Sequence, residues 1–333
     1  MNQVEAITME ELTALTSSSD RVYMQSLMVR ERLLGPDHKD TVFGLMYRGA
    51  VYADSHSYQR CVDLWKYAFN LRHCQNERVT HEGLYTLQAL CKLFLEIDEE
   101  HSGGFTNEAV RYEDVSSIFN TICDEVEAAF LSSKDGILQT TTKEDYNILV
   151  MLLLHIIHLL DHIAIGPDDV LAFRRRVHQL LKKKFSLMDG RTLLHLAMDY
   201  KTSNIGGDFY SKFPNRQVVK LLVGCGAEVN AVDGRANTPL HVCSKLVQKG
   251  NLDQAEMAQS AKIAKVLIAS GAHMDARNKR GQLASDGLTQ LPLQLRPLNH
   301  VTLKCLAART VRSSEIAYEG EVPKSLHKFI ELH

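Results

Sequence analysis

The sequence has little that points to secretion or to a disulfide framework. Its seven cysteines are an odd number and include no C-x-x-C pair. Free thiols in a reducing compartment fit that usage better than disulfide bonds. The start Met1-Asn2-Gln3 is not followed by a basic segment and an apolar core, so we expect no secretory signal. We therefore expect a cytoplasmic protein, with the nucleus as a further compartment.

Long apolar runs and a strong charge of either sign are also missing. Residues 148–160 are strongly apolar but are interrupted by His155 and His158. The run is far shorter than the roughly 20 residues that span a bilayer, so a buried core helix is expected. A formal net charge of −2 and a pI near 6.7 do not favour wholesale binding to nucleic acid or acidic membranes. We expect neither as a partner.

Recognisable catalytic motifs are absent. The chain has no P-loop, no G-x-S-x-G and no G-x-G-x-x-G, so we predict no catalytic residues, no cofactor and no enzymatic activity. His155, His158 and His162 fall on one helical face with Asp161 beside them, which would suit a metal ion. The alternative is that these are polar tips of a packed helix. We prefer it, and predict no metal site, because no second cluster supplies the remaining ligands.

Two basic runs allow two interpretations. Residues 174–176 are all arginine and residues 182–184 are all lysine. Such runs can act as a nuclear localisation or nucleic-acid-binding patch. They also suit the solvated face and C-terminal end of a helix, where cations complement the helix dipole. We prefer the second interpretation.

What is present is an internal repeat. Residues 192–197 read TLLHLA and residues 238–243 read TPLHVC, which resembles the T-P-L-H-x-A signature of ankyrin repeats. The signature predicts that His195 and His241 hydrogen-bond to backbone within their turns. The two copies are 46 residues apart instead of about 33. We therefore expect insertions at residues 200–215 and 248–259, and a half-repeat at residues 281–286.

The N-terminal third has a second helical-hairpin pattern. Its glycine, aromatic and small residues stand at the spacing of the tetratricopeptide signature G-x-x-Y…A-x-x-x-F-x-x-A. These residues are Gly49, Tyr52, Cys61, Trp65 and Ala68. The chain is thus predicted to be an all-α helical repeat solenoid. The predicted regions are tetratricopeptide-like helices (1–132), a helical connector (133–186) whose second helix begins after Gly166-Pro167, two ankyrin repeats with a partial cap (187–290), and a helical tail (291–333).

The tail combines two elements. Residues 302–311 read TLKCLAARTV, which predicts a short helix with Leu303, Ala307 and Val311 on one face. After a linker, residues 322–326 read VPKSL, a Φ-P-x-x-Φ element in which Φ is apolar. A helix pair that only capped the ankyrin array would not need this element.

These features resemble the VHL box, which joins an Elongin-binding helix to a cullin-2-selecting Φ-P-x-x-Φ element. The order of tetratricopeptide-like helices, ankyrin repeats with insertions and a VHL box resembles the C-terminal half of the Fem (feminization) homolog family, with the A/C branch nearest. Residues 303–309 (LKCLAAR), 47–54 (YRGAVYAD) and 225–231 (CGAEVNA) carry the likeness. The resemblance implies a substrate receptor of cullin-2 RING ubiquitin ligases that captures C-terminal degrons.

The resemblance also implies site residues and partners. Elongin B/C would bind the first helix, and cullin-2 with its RING subunit would bind the second element. The expected Elongin-binding residues are Leu303, Cys305, Leu306, Ala307 and Val311. The expected cullin-binding residues are Val322, Pro323 and Leu326. Leu303 is the expected anchor and Cys305 a supporting residue, since Cys305 is out of phase with the Elongin motif.

Three points stay open at this stage. The family's degron pocket lies in a longer N-terminal ankyrin array that this sequence does not contain, so no degron-binding residues are assigned. The competing interpretation is an ankyrin and tetratricopeptide scaffold that binds proteins on its concave surfaces and has no link to a ligase. A metal-dependent enzyme built on His155, His158 and His162 is a third and weaker hypothesis.

Overall fold

A computed structural model describes most of the chain. It covers residues 5–36, 38–73, 79–134, 142–163, 166–248, 253–291 and 300–333. Within these residues the secondary structure consists of fourteen α-helices, two short 3-10 helices and one small β-hairpin. The predicted all-α repeat fold is confirmed.

The described residues form two compact units. The first unit contains the residues up to Glu125 together with residues 142–145, and the second contains Val126–Lys134 and Tyr146–His333. The first unit is built from α1 (Met9–Leu15), α2 (Ser19–Leu34), α3 (Lys39–Asp54), α4 (Tyr58–His73), α5 (His81–Ser102) and most of α6 (Tyr112–Lys134).

The second unit holds the rest. Its helices are α7 (Lys143–His162, whose first three residues belong to the first unit), α8 (Pro167–Lys182), α9 (Leu193–Leu196), α10 (Arg216–Gly224), α11 (Pro239–Gln248), α12 (Gln254–Ala269), α13 (Leu303–Ser313) and α14 (Lys324–Leu332). Strands β1 (Asn204–Ile205) and β2 (Asp208–Phe209) pair antiparallel, and the 3-10 helices are Tyr200–Ser203 and Leu288–Gln290.

The α3–α4 hairpin shows what the tetratricopeptide-like spacing does physically. Tyr52 and Cys61 are buried in it. The indole N–H of Trp65 donates to the carbonyl of Met46 at 2.9 Å. A Cβ at Gly49 would lie 2.3 Å from Trp65 Nε1, which no real contact permits. Glycine is therefore required where the tryptophan ring crosses α3.

The apolar segment at residues 148–160 lies inside α7. Its leucines and isoleucines, such as Leu152, Leu153 and Ile156, are fully buried, so the predicted core helix is confirmed. No helix within the described part of the chain is long and apolar enough to cross a membrane.

Helix α8 begins at Pro167, one residue earlier than predicted, with Gly166 before it. Proline suits this first helical position because its missing N–H would have no helical partner there. Phe173, Val177 and Leu180 are its buried face. The Cys225 carbonyl, at the end of α10, accepts a hydrogen bond from His178 Nδ1 at 2.8 Å, so α8 belongs with the ankyrin helices.

The two ankyrin hairpins are α9–α10 and α11–α12, and both predicted insertions contain regular secondary structure. The first insertion contains the 3-10 turn and the β1–β2 hairpin, although no strand was predicted. In the second, residues 254–259 are the first turns of α12 and not a loop. Asp253 caps that helix in a capping box with Glu256, which satisfies free N–H groups and extends the helix. Residues 249–252 of this insertion lie outside the described residues.

The predicted half-repeat at residues 281–286 is a turn followed by a 3-10 helix, not a helix pair. The residues that follow this turn pack tightly against α11 of the second repeat. Gly287 N–H donates to Ser244 Oγ at 2.6 Å, and a Cβ at Gly287 would lie 2.2 Å from the Ser244 carbonyl oxygen. Residues 292–299, which precede α13, lie outside the described residues.

Candidate functional site

The ankyrin signature histidines are structural. The Thr192 backbone N–H donates to His195 Nδ1 at 3.2 Å, and His195 Nε2 donates to the Asn237 carbonyl at 2.9 Å. Burial lowers the pKa of this imidazole, which keeps it neutral and able to accept at one nitrogen and donate at the other. The expected backbone role is confirmed, and it also reaches into the next repeat.

His241 repeats the arrangement one hairpin later. The Thr238 N–H donates to its Nδ1 at 3.0 Å, and its Nε2 donates to the Gln282 carbonyl at 3.2 Å. Burial lowers the pKa of His241 as well. With both ring nitrogens of each signature histidine satisfied, neither is available for chemistry.

The predicted tail helix is α13, and it has two unlike faces. Thr302 caps it by accepting a hydrogen bond from the Cys305 N–H at 3.2 Å. Leu303 is 85% exposed and Leu306 is 42% exposed, whereas Cys305 is 0% exposed and Ala308 is also buried. Because so little of its apolar surface is removed from water, the Leu303 side chain contributes almost nothing to the stability of the folded chain.

The structure brings together most of the residues that the VHL-box resemblance selects on α13. Leu303, Leu306 and Ala307 are exposed, and Val311 is partly exposed one turn further on. Cys305 is not on this face. Its side chain points into the protein, 3.1 Å from the Thr302 hydroxyl and 3.4 Å from His273 Nδ1, so the expectation that it supports docking does not fit its placement.

The second element precedes and begins α14. Pro323 stands immediately before the helix and is exposed, and Val322 and Leu326 are partly exposed. The Leu326 N–H donates to the Pro323 carbonyl at 2.8 Å. His327 Nε2 donates to the Val322 carbonyl at 3.2 Å. These bonds hold the proline and its apolar neighbours in one short turn.

The three histidines of α7 do not form a ligand set. His155 Nδ1 donates to the Met151 carbonyl at 3.0 Å, and its ring packs edge-on against Phe213. Burial lowers the pKa of His155 to about 4 and that of His158 to about 3, with a further contribution from Lys212. His155 is buried and His158 half-buried, both are neutral at physiological pH, and the preferred interpretation of them as packed polar tips fits this environment.

A different group of side chains does converge. His273, Asp275, Cys305 and His333 place one ligand atom each within 4.8 Å of one another, and among the described residues this is the one such group of His, Cys, Asp or Glu. Sequence reasoning missed it. The local signal is only the His-x-Asp pair at residues 273–275, and the remaining members lie far along the chain.

Comparison with known proteins agrees with the repeats. Residues 189–234 and 236–279 match the ankyrin repeat family. Fem-1 homolog A of Bos taurus is 36% identical over 334 residues, and fem-1 homolog C of Homo sapiens is 34% identical over 335 residues. The chain is similar to the fem-1 homologs A and C. Fem-1 homolog C of Xenopus laevis, at 33% identity, extends the same similarity to a further vertebrate.

The fem-1 similarity covers this chain almost completely but those relatives only in part. Each alignment spans 99% of this chain and 48% to 51% of the relative. The chain thus spans about half the length of the curated relatives it matches. The similarity and the ankyrin repeats make it a repeat-based protein of the kind that serves protein–protein interaction.

Proposed function

We propose that the chain is a non-catalytic adaptor or substrate-recognition subunit of a cullin-2 RING ubiquitin ligase. It docks Elongin B/C through α13 and cullin-2 through residues 322–326. The observation that carries the proposal is the exposed apolar face of α13, with Leu303 85% exposed on a helix whose opposite face is buried. Amphipathic helices with such anchors bind by inserting them into an apolar groove of a partner.

The turn before α14 supports the second contact. Pro323 has no N–H to desolvate, and its fixed backbone holds Val322 and Leu326 in place at low entropic cost. Both apolar side chains remain partly exposed. This combination suits a small, preformed contact with cullin-2 beside the larger Elongin contact.

The repeats have the role of holding a protein substrate. Ankyrin hairpins offer extended surfaces for protein binding, and a bound protein would be held near the RING-recruited conjugating enzyme. The chemical contribution is proximity, so no residue of this chain needs to be catalytic. Proteins with C-terminal degrons are the substrate class that the family resemblance implies, and their ubiquitination would lead to proteasomal degradation.

Co-purification tests the Elongin contact. We expect the wild-type chain to retain Elongin B/C on co-expression. Burying a leucine is worth roughly 1.5–3 kcal/mol and about 1.4 kcal/mol is tenfold in affinity, so Leu303→Ala should weaken binding at least tenfold. The matched control is Leu171→Ala, another leucine of the second unit that is 56% exposed, which should leave binding unchanged.

Cullin-2 binding is tested separately. The double variant Pro323→Ala, Leu326→Ala should keep Elongin B/C and lose cullin-2 in a paired pull-down, with thermal melts as the folding control. If Leu303→Ala retained Elongin B/C at the wild-type level with an unchanged melt, the ligase proposal would fail. The ankyrin and tetratricopeptide interaction scaffold would then be the better account.

A further inference from the structure

The group His273, Asp275, Cys305 and His333 joins three separate segments of the second unit. His273 and Asp275 lie in the turn that follows α12, Cys305 lies in the first turn of α13, and His333 follows α14. Asp275, Cys305 and His333 are buried, and His273 is half-buried. A tight group of this composition is therefore held inside the fold and not at a mobile surface.

Several polar atoms of the group lack partners. Both carboxylate oxygens of Asp275 and Nε2 of His333 are buried without a well-formed hydrogen bond, although Nε2 lies 3.3 Å from Asp275 Oδ1. More than about 90% of buried polar groups in native proteins have one, and leaving one unpaired costs about 1–3 kcal/mol. Three such atoms at one place indicate that something positively charged belongs between them.

The tautomer of His333 points to the same conclusion. Its Nδ1–H donates to the Phe329 carbonyl at 2.8 Å, so in the neutral ring the lone pair is on Nε2. That atom lies 3.3 Å from Asp275 Oδ1, which places a lone pair against a carboxylate. A histidine whose far nitrogen donates to a backbone carbonyl is the usual arrangement of a metal ligand.

The separations suit a tetrahedral ion. Zinc bonds of about 2.0–2.3 Å place neighbouring ligand atoms roughly 3.3–3.8 Å apart. The distances from His333 Nε2 to Asp275 Oδ1 and from Cys305 Sγ to His273 Nδ1 are 3.3 and 3.4 Å. Two edges of the tetrahedron are therefore already close to the required length.

We propose that these four side chains form a structural zinc site. Imidazole, thiolate and carboxylate together are the ligand types that zinc accepts, whereas calcium and magnesium require oxygen ligands. One thiolate and one carboxylate would cancel the charge of Zn²⁺, which suits a buried site. Four protein ligands leave no open position for a substrate, so the ion serves structure and not catalysis.

The competing occupant is a proton. Burial lowers the pKa of His333, but the Asp275 carboxylate and the Phe329 carbonyl outweigh it and raise the pKa overall. A protonated His333 would pair with Asp275. A proton on His333 would serve this pair, whereas a zinc ion would also engage His273 Nδ1 and Cys305 Sγ, which lie 3.4 Å apart.

The consequence of a zinc ion is a cross-link between the last ankyrin turn and both tail helices. Cys305 lies on the buried face of α13. A zinc ion bound there would therefore fix the orientation of the opposite, exposed face that carries Leu303. This inference does not depend on what α13 binds. A zinc measurement can fail or succeed whatever the Elongin pull-down shows.

The first test is metal content. The chain is expressed without a tag, supplied with zinc, freed of excess by gel filtration and analysed by inductively coupled plasma mass spectrometry. We expect about one zinc ion per chain in the wild type. His333→Gln and Cys305→Ser should lose it, with affinity falling beyond the about 10–100-fold that removal of an outer-shell partner costs.

Matched controls use residues of the same type outside the group. His327→Gln changes another histidine of α14, and Cys225→Ser changes another buried cysteine of the second unit. Both should keep zinc at the wild-type level. A chelator should lower the melting temperature of the wild type and of these controls but not that of His333→Gln.

Cobalt substitution of the wild type keeps the proposal testable if the ligand variants fail to fold. Co²⁺ should give the intense visible bands of a tetrahedral site and a thiolate-to-cobalt charge-transfer band. Zinc content near zero together with a cobalt spectrum that lacks these features would overturn the proposal. The group would then be a proton-linked ion pair.

Discussion

The two units of this protein differ in where they keep their histidines. In the first unit His56, His81 and His101 are exposed, and the core is formed by apolar side chains such as Leu45. In the second unit His155 and His195, among others, are fully buried. Both units rely on apolar packing, and the second also buries imidazoles whose pKa is lowered by burial.

The largest expected effect compares two leucines, one in each unit. Leu45 of α3 is 1% exposed and Leu303 of α13 is 85% exposed. Leu45→Ala should lower the free energy of unfolding of the first unit by about 2–5 kcal/mol. Leu303→Ala should change stability by no more than about 0.5 kcal/mol.

Urea denaturation measures both variants. The single tryptophan of the chain, Trp65, lies in the first unit and reports it by fluorescence, and circular dichroism reports the helices of both units. An equal loss of unfolding free energy in the two variants would contradict the interpretation of Leu303 as a residue that binds a partner.

The next largest effect is that mild acid should destabilise the second unit more than the first. Burial lowers the pKa of His155 to about 4 and that of His158 to about 3, against an ordinary value of 6.5. Below pH 6.5 the unfolded chain therefore binds more protons than the folded one. Stability is complete above that pH and falls as the pH drops towards 4, by up to about 1.4 kcal/mol per pH unit for each such histidine.

The prediction is checked by melts at about pH 7 and about pH 5, within the window where these histidines titrate. The circular dichroism transition, to which both units contribute, should shift downward more than the Trp65 fluorescence transition, which reports the first unit alone. If the two transitions shifted together, the buried histidines would not be the cause.

A smaller effect concerns close packing inside the first unit. Gly49→Ala places a Cβ 2.3 Å from Trp65 Nε1, which should cost about 1–3 kcal/mol through overpacking. The matched control is Gly83→Ala in α5, where the nearest atom, Val79 Cγ1, is at an ordinary 3.4 Å. That change should be neutral or stabilise by up to about 1 kcal/mol, as read from the Trp65 unfolding curve.

The smallest expected effect compares one ion pair from each unit. Lys66 and Asp114 are 2.6 Å apart with side chains only 21% and 13% exposed, whereas Lys184 and Glu228 are 3.8 Å apart and 78% and 62% exposed. Double-mutant cycles should give about 1 kcal/mol for the first pair and about zero for the second. Because partly buried pairs are screened much less than exposed ones, added salt should change the coupling of the first pair little. Similar coupling in both pairs would contradict the burial argument.

Local signals in the sequence predicted much of this structure. The Thr-x-x-His signatures at Thr192 and Thr238 predicted the ankyrin turns, and the Gly166-Pro167 boundary predicted the start of α8. These features are short-range, because the interacting groups are within a few residues. The second insertion contains a local signal as well, the capping box of Asp253 and Glu256, from which the helical start of α12 could have been predicted.

The candidate site was predicted only in part. The amphipathic spacing of Leu303 and Ala307 predicted a shared face of α13, which the structure shows as exposed. Spacing alone could not say which side of the helix would be covered. The family resemblance grouped Cys305 with the docking residues, although the fold buries it against His273.

By itself, the sequence determined the helical elements, the ankyrin turns and the face on which the tail helix carries its leucine, because each depends on neighbours within one or two turns. Only the tertiary structure decided which side of α13 faces the protein. It also decided that His273, Asp275, Cys305 and His333 meet. Contacts across 28 to 60 residues arise from the packing of whole helices, and no local pattern records them.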